Sequence, residues 1–322
     1  MISKRIIGTL LLSAVSSVIF SQDDMLSMLD SVEGGSKKHE KVLTTFKESR
    51  IVNLQTTETV KAHTMAFNIS HLFGNIGVKS NGGVHTLYGL DNVSDVRFAF
   101  DYGITNDFTV GIGRSKQSEM IDGLVKYRIL TQTTDNHFPV SLAVYGDMGY
   151  SPTSDAVFYS GLSPTANFKK NEIQRISYVS QLIIARKFGS RLSVELVPTY
   201  QHRNYVLANI NSNNGAAETN DLFAMATGFR FKLTNRLLIV ADYFYTFSKY
   251  RTNNNDTPFY NPLAVGLEIE TGGHVFHLNF TNCSGLIENN FLPKTTDSWL
   301  KGGFKFGFNI SRVFNVGKHK SS

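Results

Sequence analysis

From about residue 60 the chain alternates apolar and polar positions with a period of two, the spacing of β-strands that present different chemistry on their two faces. In WLKGGFKFGFNISRVF, Phe304, Phe306, Phe308 and Ile310 share one face while Lys305, Gly307, Asn309 and Ser311 share the other. Val125, Tyr127 and Ile129 oppose Lys126 and Arg128, and Phe229 with Phe231 oppose Arg230 and Lys232. Large apolar groups therefore alternate with full charges. The pattern predicts twelve strands, near 61–73, 94–104, 107–115, 121–131, 138–149, 173–187, 190–204, 220–233, 236–249, 261–270, 273–282 and 299–313.

The links between these strands are sorted by length. Short ones fall at Thr105 to Asp107, Gly189 and Ser190, Thr234 and Asn235, and Gly272 and Gly273, with a medium one at Gln132 to His137. Longer or more polar links at 74–93, 116–120, 150–172, 205–219, 250–260 and 283–298 alternate with them. A soluble sandwich has no reason to sort its loops this way, whereas a membrane barrel puts tight turns on one side and long loops on the other. The expected fold is all-β, a transmembrane antiparallel up-and-down β-barrel of about 12 strands, with an even strand count placing both termini in the periplasm. Aromatic girdles are expected from Tyr102, Phe108, Phe188 and Phe231 at one rim and Phe73, Tyr200, Phe247 and Trp299 at the other.

The first 21 residues have the build of a cleaved secretory signal: Lys4 and Arg5, then an apolar run from Ile6 to Phe20, then small residues near Ser21. Residues 22–59 lack strand periodicity and are expected to form a periplasmic N-terminal segment before a barrel over 60–314, with a basic tail at 315–322. Composition agrees with many strands. The chain has 24 Phe and 13 Tyr against one Trp and only 7 Pro.

The net charge of +6 is spread among acids instead of gathered in a stripe, so nucleic acid is not an expected partner. Outer-membrane lipid, lipopolysaccharide and small solutes are, and the residues do not identify a protein partner. Cys283 is the single cysteine, which excludes an internal disulfide and a lipid anchor at the signal cleavage site. His274 and His277 are three positions apart on one strand and point to opposite faces, so they do not share a metal. No cofactor or metal is expected. Gly111 and Gly113 form a GxG within a strand, with no following helix or lysine, and are expected to allow curvature. An outer-membrane phospholipase would carry His and Ser two residues apart on a lipid-facing strand. Here only His319 and Ser321 have that spacing, and they lie in the tail, so an enzyme is not expected. The chain is too short for the 22 strands and plug domain of a large active transporter.

Three segments, TFKESRIVNLQTTETV, LYGLDNVSDVRFAFDYGITNDFTVGIGRS and ETGGHVFHLNFTNCSGLIENNFLPKTTDSWLKGGFKFGFNISRVF, resemble a Bacteroidota family of exported β-barrel proteins of unknown function, over about Thr44 to Phe314. The resemblance implies fold and location and assigns no residue a role.

Strand parity then nominates the lumen: Arg97, Asp101, Lys126, Arg128, Glu195, Arg230, Lys232, Asp242, Glu268, Glu270 and Lys305. These eleven would line a narrow pore for ions or small solutes. The alternative is a closed barrel whose charges pair with one another and whose long loops, such as ANINSNNGAAETN, bind a partner.

Overall fold

A computed structural model describes residues 39–77, 83–162, 168–271 and 274–316. The expected signal peptide and nearly all of the basic tail fall outside them. The described chain contains a closed barrel of twelve antiparallel strands in sequential order. They are β1 (Thr64–Asn75), β2 (Val93–Gly103), β3 (Phe108–Ser115), β4 (Ile121–Leu130), β5 (Ser141–Tyr150), β6 (Ile176–Phe188), β7 (Leu192–Arg203), β8 (Asp221–Lys232), β9 (Leu237–Phe247), β10 (Leu263–Glu270), β11 (His274–Thr281) and β12 (Lys305–Asn315). Closure is made by β1, in which Ile69 stands opposite Phe98 of β2 on one side and Ile310 of β12 on the other. A closed sheet has no edge, so every strand's backbone finds a neighbour without water.

Burial follows the two-residue period. Along β4, Asp122, Leu124 and Lys126 are buried while Ile121, Val125 and Tyr127 are exposed. Along β3 the outward Ile112 is 59% exposed, next to the buried Ser115 and Thr109. The most exposed strand side chains are thus apolar, whereas the buried face mixes charged and hydroxylic groups such as Asp122, Lys126 and Ser115 with apolar ones such as Ala143 and Val197. Lipid must cover the first set, and the second faces the lumen.

Tight connections of 104–107, 189–191 and 233–236, with a ten-residue link at 131–140, occupy one rim, the turn end. Longer ones occupy the other, the loop end, where the short helices α1 (Asp155–Phe158) and α2 (Glu288–Lys294) lie. At the turn end Gly189 adopts a φ of 64°, which a side chain would strain.

Strand positions differ from the sequence expectation by a few residues, with one larger shift. The last strand begins at Lys305, not at 299. Trp299–Lys301 form a 3-10 turn and Gly302, at a φ of 77°, redirects the chain into β12. Alternation within WLKGG looks strand-like, but the left-handed glycine breaks it. Phe306 consequently stands near the loop-end rim and not near mid-membrane.

The described part of the segment before β1 packs inside the barrel. It makes an antiparallel bridge between Lys41 and Thr133 at the turn end, then rises into the barrel. It turns over at residues 51–54, where Ile51 N donates to Leu54 O at 2.8 Å and Arg50 bridges Gln55. It returns to the turn end, where Thr59 Oγ1 donates to Asn106 O at 2.7 Å. Phe46, Ile51 and Leu54 on this hairpin are 4% exposed or less, so a short apolar set with no regular period anchors it.

The two faces of the wall should respond differently to charge. Val125→Arg, at the middle of the lipid face, is expected to lower folding stability by about 2 to 4 kcal/mol, and Phe306→Arg, near the rim, by about 0 to 1 kcal/mol. Urea unfolding of the refolded protein in lipid vesicles measures both; equal losses would remove the depth assignment.

Candidate functional site

The chemistry is concentrated in the lumen, where wall, hairpin and one loop helix meet. On the wall, Arg97 forms a two-pronged ion pair with Asp122, with Nη2 at 2.6 Å from Oδ2, and also donates to Ser115 Oγ at 3.2 Å. Gly113 faces this guanidinium from β3, and Gly111 faces Asp101; a Cβ on either would overlap the charged group. The GxG therefore makes room for luminal side chains. Arg230 bridges Glu268 at 2.6 Å and Glu270 at 2.7 Å, and Lys305 pairs with Asp297.

Other wall charges are satisfied by the hairpin. Asp242 accepts from Asn53 N at 2.7 Å, from Val52 N at 3.2 Å and from Asn53 Nδ2 at 3.2 Å. Lys126 Nζ donates to Ser49 O at 2.7 Å. Glu48 accepts from Ser311 Oγ and stands 3.4 Å from His277 Nε2. Near the turn end, Lys47 lies 3.3 Å from Glu270 and Arg128 3.7 Å from Glu58. Ile51 packs against Gly228, where a Cβ would come within 2.6 Å of both Ile51 Cδ1 and Glu195 Oε1.

The eleven residues nominated from sequence all turn to the inside of the wall, but they do not form one site. Arg97, Asp101 and Lys126 gather on β2 and β4; Arg230, Glu268 and Glu270 form a separate cluster toward the turn end. Arg128 is taken up by Asp107, with Nε to Oδ1 at 2.9 Å, and Lys232 is half-exposed at the rim. Glu195 is 1% exposed, and neither carboxylate oxygen has a hydrogen-bond donor among the described residues. Asp122, Asp147 and His277 belong to the same lining and were missed. Parity contained the signal, since Asp122 shares a face with Leu124 and Lys126. Glu48, Arg50 and Glu58 had no such signal, because the hairpin carries no strand period.

The loop between β11 and β12 closes the lumen from the opposite side. Its helix α2 is buried from Glu288 to Pro293, and Phe291 meets Phe244 edge-on with ring centroids 5.2 Å apart. Pro293 has no N–H to give the Asn289 carbonyl, and Gln201 Nε2 supplies one at 3.1 Å. Asn289 Nδ2 in turn donates to Asp147 at 2.6 Å. The hairpin tip and this helix meet: Arg50 pairs with Glu288, and its Nη1 donates to Leu286 O at 2.5 Å. Two small cavities flank the tip, of about 50 Å³ and about 20 Å³, each with room for a few waters at most. Above α2 the loop-end mouth widens into a cavity of about 550 Å³.

A barrel with an apolar outer belt and a charged, occupied lumen is a membrane-bound β-barrel protein. The chain belongs to the family described as membrane bound beta barrel domain (DUF5777), which matches residues 46–314. That match takes in the hairpin as well as the wall. No curated protein matches the chain. Among solved structures it is similar to the NanC porin, with 8% identity over 77% of this chain and 98% of that one at a TM-score of 0.44. It is also similar to the KdgM porin, with 8% identity, 78% and 99% coverage and a TM-score of 0.42. An outer membrane channel from Pseudomonas putida F1 gives 12% identity, 80% and 98% coverage and a TM-score of 0.41.

Removing one member of the central ion pair should be expensive. Arg50→Ala leaves Glu288, 2% exposed, without its countercharge and is expected to lower stability by about 3 to 5 kcal/mol. Arg50→Met combined with Glu288→Gln should recover most of that loss in urea unfolding, and no recovery would show that the pair is not what couples hairpin to helix.

Proposed function

We propose that this protein is a channel-type barrel of the outer membrane, held shut by residues 44–58 of its own chain and permeable to ions or small solutes when that hairpin withdraws. The observation that carries the reading is where the wall's charges find their partners. Asp242 and Lys126 find their hydrogen-bond partners on the hairpin and, among the described residues, not on each other or on neighbouring strands. A wall built only to be closed can pair its own charges, as Arg97 does with Asp122. With the hairpin gone, Asp242, Lys126, Glu48's partner His277 and Glu195 would need water, and a lumen lined this way fills with it. Twelve strands enclose more space than an eight-stranded barrel, whose interior side chains nearly fill it, and less than a wide porin.

In this reading the signal peptide directs export, both termini and the turn end face the periplasm, and the apolar belt meets outer-membrane lipid, with lipopolysaccharide at the loop-end rim. The hairpin is then reachable from the periplasm and the mouth from outside.

Conductance across a planar bilayer tests it. The unaltered protein is expected to be nearly silent, while Gly228→Val, which removes the space for Ile51, should give frequent openings in a folded barrel. In a Cys283→Ser background, Asn53→Cys with Thr281→Cys replaces groups that stand 3.2 Å apart. Oxidation of that variant should abolish openings even when Gly228→Val is present, and a reductant should restore them. Folded Gly228→Val that stays silent, or cross-linked protein that conducts as freely as reduced, would overturn the gated-channel reading.

A further inference from the structure

The cavity at the loop end is separate from the hairpin, and its charge is unbalanced. Arg175, Arg203 and Lys294 line it and Arg251 lies against the lining Phe259 ring, and these cations differ in how well they are satisfied. Arg175 is fully engaged: it donates to Ser151 O at 3.1 Å and Asp155 Oδ1 at 2.5 Å, lies 3.5 Å from Glu172, and stacks on the Phe158 ring at 4.9 Å. Arg203 shares one Nη2 between Glu218 at 2.9 Å and Thr219 O at 3.1 Å, while its buried Nε has no acceptor among the described residues.

The other two have no carboxylate within ion-pair distance among the described residues. Arg251 gives Nη1 to Leu292 O at 2.6 Å and lies over the Phe259 ring at 4.9 Å, and its buried Nη2 has no acceptor. Lys294, at the end of α2, reaches only Ser118 Oγ, at 3.2 Å. Burial, reinforced by the nearby charge of Arg203, pushes the Arg251 guanidinium down to about 10 and lowers the Lys294 ammonium as well. Both cations are therefore strained in their charged forms, and a nearby negative charge would relieve them. Glu218 is the one acid of the cavity lining, and Asp147 beneath the floor is covered by the Asn289 amide.

The walls between these charges are aromatic and polar. Tyr205, Tyr250 and Phe259 line the cavity, and the buried Tyr205 hydroxyl has no partner among the described residues. A cavity of about 550 Å³ is within the range of small-molecule sites. We propose that the loop-end mouth is a binding site for a small organic anion, its negative group drawn to Arg203, Arg251 and Lys294 and a flat apolar part laid against Tyr205 and Phe259. The site requires no movement of the hairpin, so it stands whether or not the barrel conducts. Substrate that gathers at the mouth of a channel and a ligand that binds a closed barrel would meet the same groups.

Calorimetric titration of the purified full-length mature protein in detergent micelles separates the charge from the ring. The probes are 2-naphthoate, the neutral 2-naphthylmethanol and inorganic phosphate. 2-Naphthoate is expected to bind about ten-fold or more tighter than either of the others. Lys294→Gln and Arg251→Gln should each weaken it about five-fold or more, and Glu218→Gln should tighten it, with heat-modifiable gel mobility confirming that each variant is folded. Naphthylmethanol binding as tightly as naphthoate removes the anion from the proposal, and phosphate binding as tightly removes the aromatic wall. Absence of naphthoate binding up to about 10 mM, unchanged affinity in folded Lys294→Gln, or weaker binding in folded Glu218→Gln overturns it altogether.

Discussion

A charge enclosed by a narrow barrel must meet either water or a partner, because the surrounding wall and lipid offer no other solvation. Most of this structure follows from how that demand is met. The wall places Asp242, Lys126 and His277 inside, each 2% exposed or less, and the chain sends its own hairpin to them, backbone to the first two and the Glu48 carboxylate to the third. The hairpin's carbonyls and amides could not be buried in an apolar lumen. The wall's charges could not be buried without them. Each side makes the other's burial tolerable, and Phe46, Ile51 and Leu54 add the apolar contact that charge pairing alone does not provide.

The same demand explains small features that would otherwise look incidental. Glycine appears in the wall where a charged or anchoring side chain needs the volume, as at Gly113 beside Arg97 and Gly228 beside Ile51. The proline of α2 leaves a carbonyl that Gln201 must cap, which ties the loop helix to β7. Arg50 is the point where the two inserted pieces are joined, its ion pair with Glu288 linking the turn-end hairpin to the loop-end helix.

How much of this could be read from the residues depends on periodicity. Strands are legible because lipid and lumen demand opposite chemistry at successive positions: Ile121, Asp122, Leu124, Val125, Lys126 and Tyr127 declare both the strand and its inward face. The sorted loop lengths declare the rest of the architecture. Where the chain fills space without a repeat, the sequence is silent. Nothing in FKESRIVNLQTTE marks Ile51 as a knob or Asn53 as the cap of a carboxylate nearly two hundred positions away. At Trp299 the failure is the reverse, a strand-like pattern interrupted by Gly302, whose left-handed backbone is visible only in three dimensions. Parity carries the side of the wall a charge stands on but not its partner: Arg230 holds Glu268 and Glu270, and nothing in the alternation selects them over Asp242.

The path of the hairpin has a topological consequence. It passes in and out through the same rim, between the Lys41 bridge to Thr133 and the Thr59 contact with Asn106, and so it is a bight of rope pushed into a ring, not a strand threaded through one. α2 enters and leaves by the opposite rim in the same manner. Among the described residues neither piece is threaded from rim to rim. Withdrawal of either by its own rim would leave all twelve strands zipped and the piece tethered near its seat, so that reinsertion would be an intramolecular event at high effective concentration.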